Sequence, residues 1–101
     1  MNARMVTLTA RPGHLSAITD FYDEQVVTEI TAQRGNRGFF LLANAQDDTA
    51  TAVSLWDSAE DADATAPTLR RHMSALADHL AGPPRPAPVA VAAAAVASLI
   101  G

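Results

Sequence analysis

The sequence predicts an α+β domain of the ferredoxin-like type, with the element order β-α-β-β-α-β and a four-stranded antiparallel sheet. Two amphipathic helical patterns alternate with short strand-like runs in that order along the 101 residues. Three of the strand-like runs, residues 38–43, 52–56 and 89–95, are apolar at consecutive positions and therefore on both faces of a strand. Two helices can cover only one face of such a sheet, so we expect a second copy of the chain to cover the other.

The first half of the chain supplies a strand, a helix and a second strand. Residues 5–9 (MVTLT) are typical of a strand, and residues 37–44 of a second one. Between them the spacing predicts a helix from His14 to about Arg34, ended by Gly35. Its apolar stripe has spacings of three and four residues and consists of Leu15, Ile18, Tyr22, Val26 and Ile30.

The second half supplies the remaining two strands and the second helix. A polar turn leads into a third strand at residues 49–56, and Ser58 with Asp61 three residues later predicts a helix N-terminus. We expect that helix to be short and to restart at Pro67, since proline suits a first turn better than an interior. After a proline-rich connector, residues 87–94 predict an edge strand, although their alanines also suit a helix. The stripe of the second helix consists of Leu69, His72, Met73, Leu76 and Leu80.

Composition narrows the function classes. The length fits one domain over residues 1–101, and the absence of cysteine excludes disulfides and thiolate metal sites. The formal net charge is −4 with no cluster of basic residues, which argues against a nucleic-acid partner. The start of the chain lacks the apolar core of a signal peptide, and the uncharged tail at residues 89–100 is too short to cross a membrane. We therefore expect a cytoplasmic protein.

Four short stretches occur in the order of known family landmarks. They are RPG at residues 11–13, RGNRGFFLL at 34–42, SLWDSAED at 54–61 and AGPP at 81–84. Together they resemble the antibiotic biosynthesis monooxygenase-like family. The resemblance implies a dimeric α+β barrel, which agrees with the two-faced strands. Family members include cofactor-free oxygenases of aromatic polyketides, quinol oxygenases, haem-degrading enzymes and proteins without a known activity.

The polyketide-oxygenase branch of this family is matched in part. Trp56 is similar to the tryptophan of its active site, and Arg70 falls near its arginine. The asparagine and tyrosine of that set correspond here to Ala52 and Ala62. The sequence therefore matches two of the four active-site positions of that branch.

The haem-degrading branch suggests another role for a histidine. His72 stands five residues after Pro67, where that branch has its axial ligand. The branch's asparagine and tryptophan correspond to Thr7 and about Asp63, so the resemblance implies at most haem binding through His72.

The leading functional hypothesis is a cofactor-independent monooxygenase. It would oxidise a small phenolic, anthrone- or quinol-like molecule in a cavity between helices and sheet, with no metal or cofactor. His72 would serve as base, and Trp56 or Arg70 would stabilise the developing phenolate. The residues expected to bind the substrate are Tyr22, Arg70, Phe40 and Met73.

Two alternatives stay open beside this hypothesis. The first is a non-catalytic dimeric module that binds an apolar metabolite, and the second is haem binding through His72. Trp56 at the end of a strand also suits core packing, and His72 on an apolar stripe also suits a structural histidine. The sequence does not choose between these roles.

Overall fold

A four-stranded antiparallel sheet organises the protein. The structure is a computed structural model and describes residues 1–92. The strands are β1 (Asn2–Thr9), β2 (Asn36–Asn44), β3 (Thr49–Trp56) and β4 (Arg85–Ala90). They lie in the order β2-β3-β1-β4, and each neighbouring pair is antiparallel. The predicted α+β architecture and element order are confirmed.

The first helical region contains a π-helical turn that the sequence pattern did not predict. It runs as α1 (Leu15–Phe21), a π segment (Tyr22–Val26) and α2 (Val27–Thr31). The predicted stripe packs into the core along its whole length. The region ends before Gly35, which has a φ of 79° and could not carry a Cβ without a collision with the Asp61 carboxylate.

The second helical region is divided where proline predicts it. Ser58 caps α3 (Ala59–Asp63) by accepting a hydrogen bond from the Asp61 N–H at 3.1 Å. A new helix, α4 (Ala66–Leu76), follows with proline in its first turn. A single 3₁₀ turn then continues the chain towards β4.

The sheet has one covered and one open face. The helices pack on the face that carries Val6, Leu8, Ala52 and Trp56, all buried. The opposite face is apolar as well, and no helix of residues 1–92 packs on it. Leu42 on that face is 59 % exposed and Val89 is 40 % exposed. Within the described part of one chain, the helices therefore cover only one of the two apolar faces of the sheet.

The edge strand starts earlier than the pattern predicts. β4 pairs with β1 from Arg85 to Ala90, whereas the sequence favoured residues 87–94. Prolines are tolerated there because β4 is an edge strand with only one neighbour. Residues 93–94 of the predicted strand lie outside the described residues.

None of the helices within residues 1–92 combines the length and the apolar composition that a membrane span requires.

Candidate functional site

A small enclosed cavity lies between the helices and the covered face of the sheet. Its volume is about 40 Å³, room for one or a few water molecules. The sheet contributes side chains from three strands, and the helical layer contributes side chains from the π segment, α2 and α4. Residues from both layers that define its chemistry are Arg4, Tyr22, Phe39, Ser54, Trp56 and His72.

Trp56 forms part of the cavity wall with its polar atom already engaged. The side chain is 1 % exposed, and its Nε1–H donates to the Ser54 hydroxyl at 2.8 Å. Indole has no other hydrogen-bond donor. Trp56 therefore shapes the cavity through its ring, with the indole N–H held by the protein itself.

His72 is the titratable group with a free basic position. The residue is 4 % exposed, and its Nε2 lies 3.0 Å from the Oε1 of Glu29 on α2. Among the described residues, no group hydrogen-bonds to its buried Nδ1. Burial, followed by the charge of Arg71, lowers the pKa of His72 below its ordinary value of 6.5. The lowered pKa favours the neutral ring at pH 7, in which one nitrogen carries a proton and the other a lone pair.

Tyr22 supplies a phenol beside the same cavity. It belongs to the π segment, is 2 % exposed, and stacks on Phe39 with ring centroids 5.8 Å apart. Burial raises the pKa of Tyr22 to about 12, because the charged phenolate would lose its hydration. The hydroxyl therefore stays protonated and can donate a hydrogen bond.

A wider space, which we call the outer groove, opens along α4 and β4. It comprises two adjoining cavities of about 520 Å³ and 450 Å³. Val6 and Leu69 line both of these and the enclosed cavity as well. Leu69 thus stands on α4 between the enclosed cavity and the outer groove.

The structure divides the predicted site residues among the enclosed cavity, the outer groove and the open face of the sheet. His72, Trp56 and Tyr22 line the enclosed cavity, whereas Arg70 and Met73 line the outer groove.

Phe40, which was predicted to bind the substrate, does not line this cavity. Phe39 pairs with Ser54 and shares the covered face with it, so the next residue, Phe40, lies on the open face opposite Val53. Because β2 is apolar at both positions, its pattern did not show which of the two phenylalanines points inward.

Arg4 and Glu29 are polar residues of the site that sequence reasoning missed. Arg4 lines the enclosed cavity and the groove, and its guanidinium donates to the Asp63 carboxylate at 2.8 Å. Glu29 lies outside the apolar stripe of its helix, so the pattern gave it no role in the site. The alternation in β1 could have flagged Arg4 as inward-facing, because it shares parity with Val6 and Leu8. No local signal joins Glu29 to a histidine 43 positions later.

The surroundings of His72 do not fit a haem. The cavity beside the ring holds about 40 Å³, well below the few hundred Å³ of ordinary cofactor sites. The other ring nitrogen lies 3.0 Å from the Glu29 carboxylate. Axial ligation by this histidine would require both the cavity and this contact to be rearranged.

Comparison with known proteins places this geometry in context. The family model described as antibiotic biosynthesis monooxygenase matches residues 1–66. A search of curated proteins finds no match.

Several solved structures share the fold. A Nitrosomonas europaea protein of unknown function is 23 % identical, with a TM-score of 0.81 over 96 % of this chain and 94 % of that one. The ActVA-Orf6 monooxygenase of Streptomyces coelicolor, solved with nanaomycin D, is 17 % identical, with a TM-score of 0.78 over 96 % and 92 %. The protein Rv0793 of Mycobacterium tuberculosis is 20 % identical, with a TM-score of 0.77 over 94 % and 98 %. At these identities the likeness establishes the fold alone.

Proposed function

The chain belongs to the antibiotic biosynthesis monooxygenase family, and from that premise we propose that it is a cofactor-independent monooxygenase of a small aromatic substrate. The substrate class is phenolic, anthrone- or quinol-like, and the protein acts in the cytoplasm. The observation that carries the proposal is the buried His72 in the wall of the enclosed cavity, with Nδ1 unpaired among the described residues. A base in the cavity wall can make an electron-rich anion, which is what a reaction with dioxygen needs in the absence of a cofactor.

An anthrone-like substrate reacts at its methylene carbon. Nδ1 of His72 removes one proton from the reacting methylene carbon, and the resulting anion gives an electron to dioxygen. Recombination forms a carbon–oxygen bond, and the hydroperoxide loses water to leave a carbonyl. One oxygen atom enters the product, and the other leaves as water with the two hydrogens of the methylene group. His72 returns its proton to the departing oxygen.

Neighbouring residues bind the substrate and stabilise its anion. The Tyr22 hydroxyl, kept protonated by its raised pKa, donates to the oxyanion of the ionised substrate. Trp56 and Phe39 give the reacting ring apolar surfaces. Arg70 and Met73 contact the part of the substrate that stays in the outer groove.

Substrate entry requires a side-chain movement at Leu69. The enclosed cavity of about 40 Å³ is smaller than an aromatic ring, whereas the adjoining groove offers several hundred Å³. Rotation of Leu69 joins the two spaces. The body of the substrate then lies along α4, and its reacting edge reaches His72.

Oxygen consumption tests this proposal. The protein is incubated with a panel of anthrones and hydroquinones, and dioxygen uptake is compared with the uncatalysed rate. We expect acceleration by the native protein and loss of most of it in His72→Asn. His79→Asn is the matched control, because that ring lies at the end of the second helical region and contacts His14. No acceleration with any substrate contradicts the proposal.

A second candidate function is a non-catalytic module that binds an apolar metabolite. The closed cavity and the alanines at positions 52 and 62 favour it, since the related oxygenases have polar groups there. Binding of an aromatic ligand that changes Trp56 fluorescence without any dioxygen uptake would support this function over the first.

The open face of the sheet supports a homodimer as part of the proposal. Leu42 and Val89 are exposed there beside the half-buried Phe40 and Val53. Contiguous apolar surface of this kind is uncommon on monomers. Two-fold pairing of the open faces would bury it with one self-complementary surface.

A further inference from the structure

Glu29 links the candidate base to the outside of the protein. It lies on α2, and its Oε1 contacts both the Nε2 of His72 and the guanidinium of Arg71. A surface cavity of about 260 Å³, which we call the outer cleft, lies over this contact. His72 lines both the outer cleft and the enclosed cavity, so its ring separates the two.

We propose that Glu29 is the positioning residue of the site: by accepting the Nε2–H of His72 it fixes the tautomer in which Nδ1 carries the lone pair. This inference rests on the proposed function and deepens it. A neutral imidazole has one N–H donor and one acceptor nitrogen. A carboxylate can only accept, so the nitrogen that faces Glu29 has to carry the proton, and the other nitrogen remains the base.

Glu29 also suits the charged state of the histidine. When Nδ1 takes a proton from the substrate, the ring becomes an imidazolium that already faces a carboxylate at 3.0 Å. Buried cations need such a partner. Phe21 packs its ring edge-on against His72, with centroids 6.1 Å apart, and restricts rotation of the imidazole.

Other charges around His72 limit this effect. Arg71, on the same helix, shares the same carboxylate oxygen and opposes a positive imidazole. Arg4 from β1 and Tyr22 from the π segment face the same enclosed cavity. Glu29 is therefore the acidic group that the structure brings to His72 within the described part of the chain.

Nuclear magnetic resonance of ¹⁵N-labelled histidine tests the inference without any substrate. In the native protein at neutral pH, we expect the His72 signals of a neutral ring with the proton on Nε2, assigned by their absence in His72→Asn. In Glu29→Gln we expect a mixture of tautomers and a lower pKa for His72. In the matched variant Arg71→Gln we expect a higher pKa, because the repelling charge is gone. A merely structural role for Glu29 does not predict a change of tautomer in Glu29→Gln.

The outcomes separate this inference from the proposed function. A native His72 with the proton on Nδ1, or an unchanged tautomer and pKa in Glu29→Gln, overturns the inference even if the protein consumes dioxygen. The native measurement decides the question alone if a variant fails to fold. Where dioxygen uptake is found, Glu29→Gln should lower kcat about 10–100-fold with little change in KM, as for other partners that orient a functional histidine. Absence of uptake in the native protein refutes the oxygenase but leaves the tautomer result standing.

Discussion

At the scale of single residues, neighbours decide what each side chain of the cavity can do. Trp56 and His72 both line the space between helices and sheet. The indole N–H is bonded to Ser54, whereas Nδ1 of His72 has no partner among the described residues. Both were predicted as catalytic from the family resemblance, whereas the strand end at Trp56 also suited core packing and the apolar stripe at His72 also suited a structural histidine. Their partners lie in other elements, so the difference between them needed the folded contacts.

Tyr22 gives a direct test of burial at this scale, because it is the only tyrosine of the chain. Its pKa rises from 10.0 to about 12 on folding, so the unfolded chain binds fewer protons than the folded one between these values. The free energy of unfolding should therefore fall as the pH rises above 10 and level off above about 12. Tyrosinate absorbance, followed during an alkaline titration, should show ionisation well above pH 10 in the native protein.

Tyr22→Phe is the matched control for this titration. It keeps the ring that stacks on Phe39 and removes the ionisable group, so the contribution of this residue to alkaline destabilisation should disappear. A native Tyr22 that titrates at its ordinary value would contradict the enclosed position assigned to it.

At the scale of elements, local signals predicted where helices and strands begin and end. These signals act within a few residues of chain, and each prediction agrees with the structure. They are the helix cap at Ser58 and Asp61, the helix stop at Gly35, and the break before Pro67. The π segment at Tyr22–Val26 was not predicted, since its stripe has the spacing of an α-helix. The pattern also did not determine which residues of β2 point towards the helices, because apolar residues occur on both faces of that strand. Packing against the helices selects Phe39.

Leu69 on α4 tests the proposed connection between groove and cavity. In Leu69→Ala, the passage should stand open, and an aromatic ligand should associate faster with the protein. Loss of a half-buried leucine should cost about 2 kcal/mol of stability, the low end of the range for core positions. Quenching of Trp56 fluorescence in stopped-flow mixing measures the association rate, and urea unfolding measures the stability.

Met73→Ala provides the comparison for Leu69. Met73 lies on the same helix and lines the groove, but it does not line the enclosed cavity. Equal association rates in both variants and the native protein would show that Leu69 does not limit entry.

At the scale of the whole molecule, the open sheet face is the main unsatisfied feature. The runs of apolar residues at consecutive positions predicted two apolar faces, and within residues 1–92 the helices cover one of them. The fold could be predicted from the sequence pattern because the order of strands and helices along the chain determines how the helices and the sheet pack on each other.

The dimer proposal predicts the mass in solution. Sedimentation equilibrium at micromolar concentration should give twice the 10.6 kDa of the chain. Leu42→Glu should shift the protein towards the monomer, because a charge buried against the partner's apolar face would be unpaired. Gln46→Glu, in an exposed turn, adds the same charge and should leave the dimer intact. A native protein with a single species near 10.6 kDa would refute the dimer.

The central claim is that the space between helices and sheet receives an aromatic substrate at His72. A crystal structure with an anthrone-like ligand, grown without dioxygen, tests it most directly. We expect the reacting edge within hydrogen-bond distance of His72 Nδ1, a rotated Leu69, and the remaining rings along α4 in the outer groove. Ligand density confined to the open face of the sheet, or bound rings that leave Leu69 in place and His72 untouched, would contradict the account.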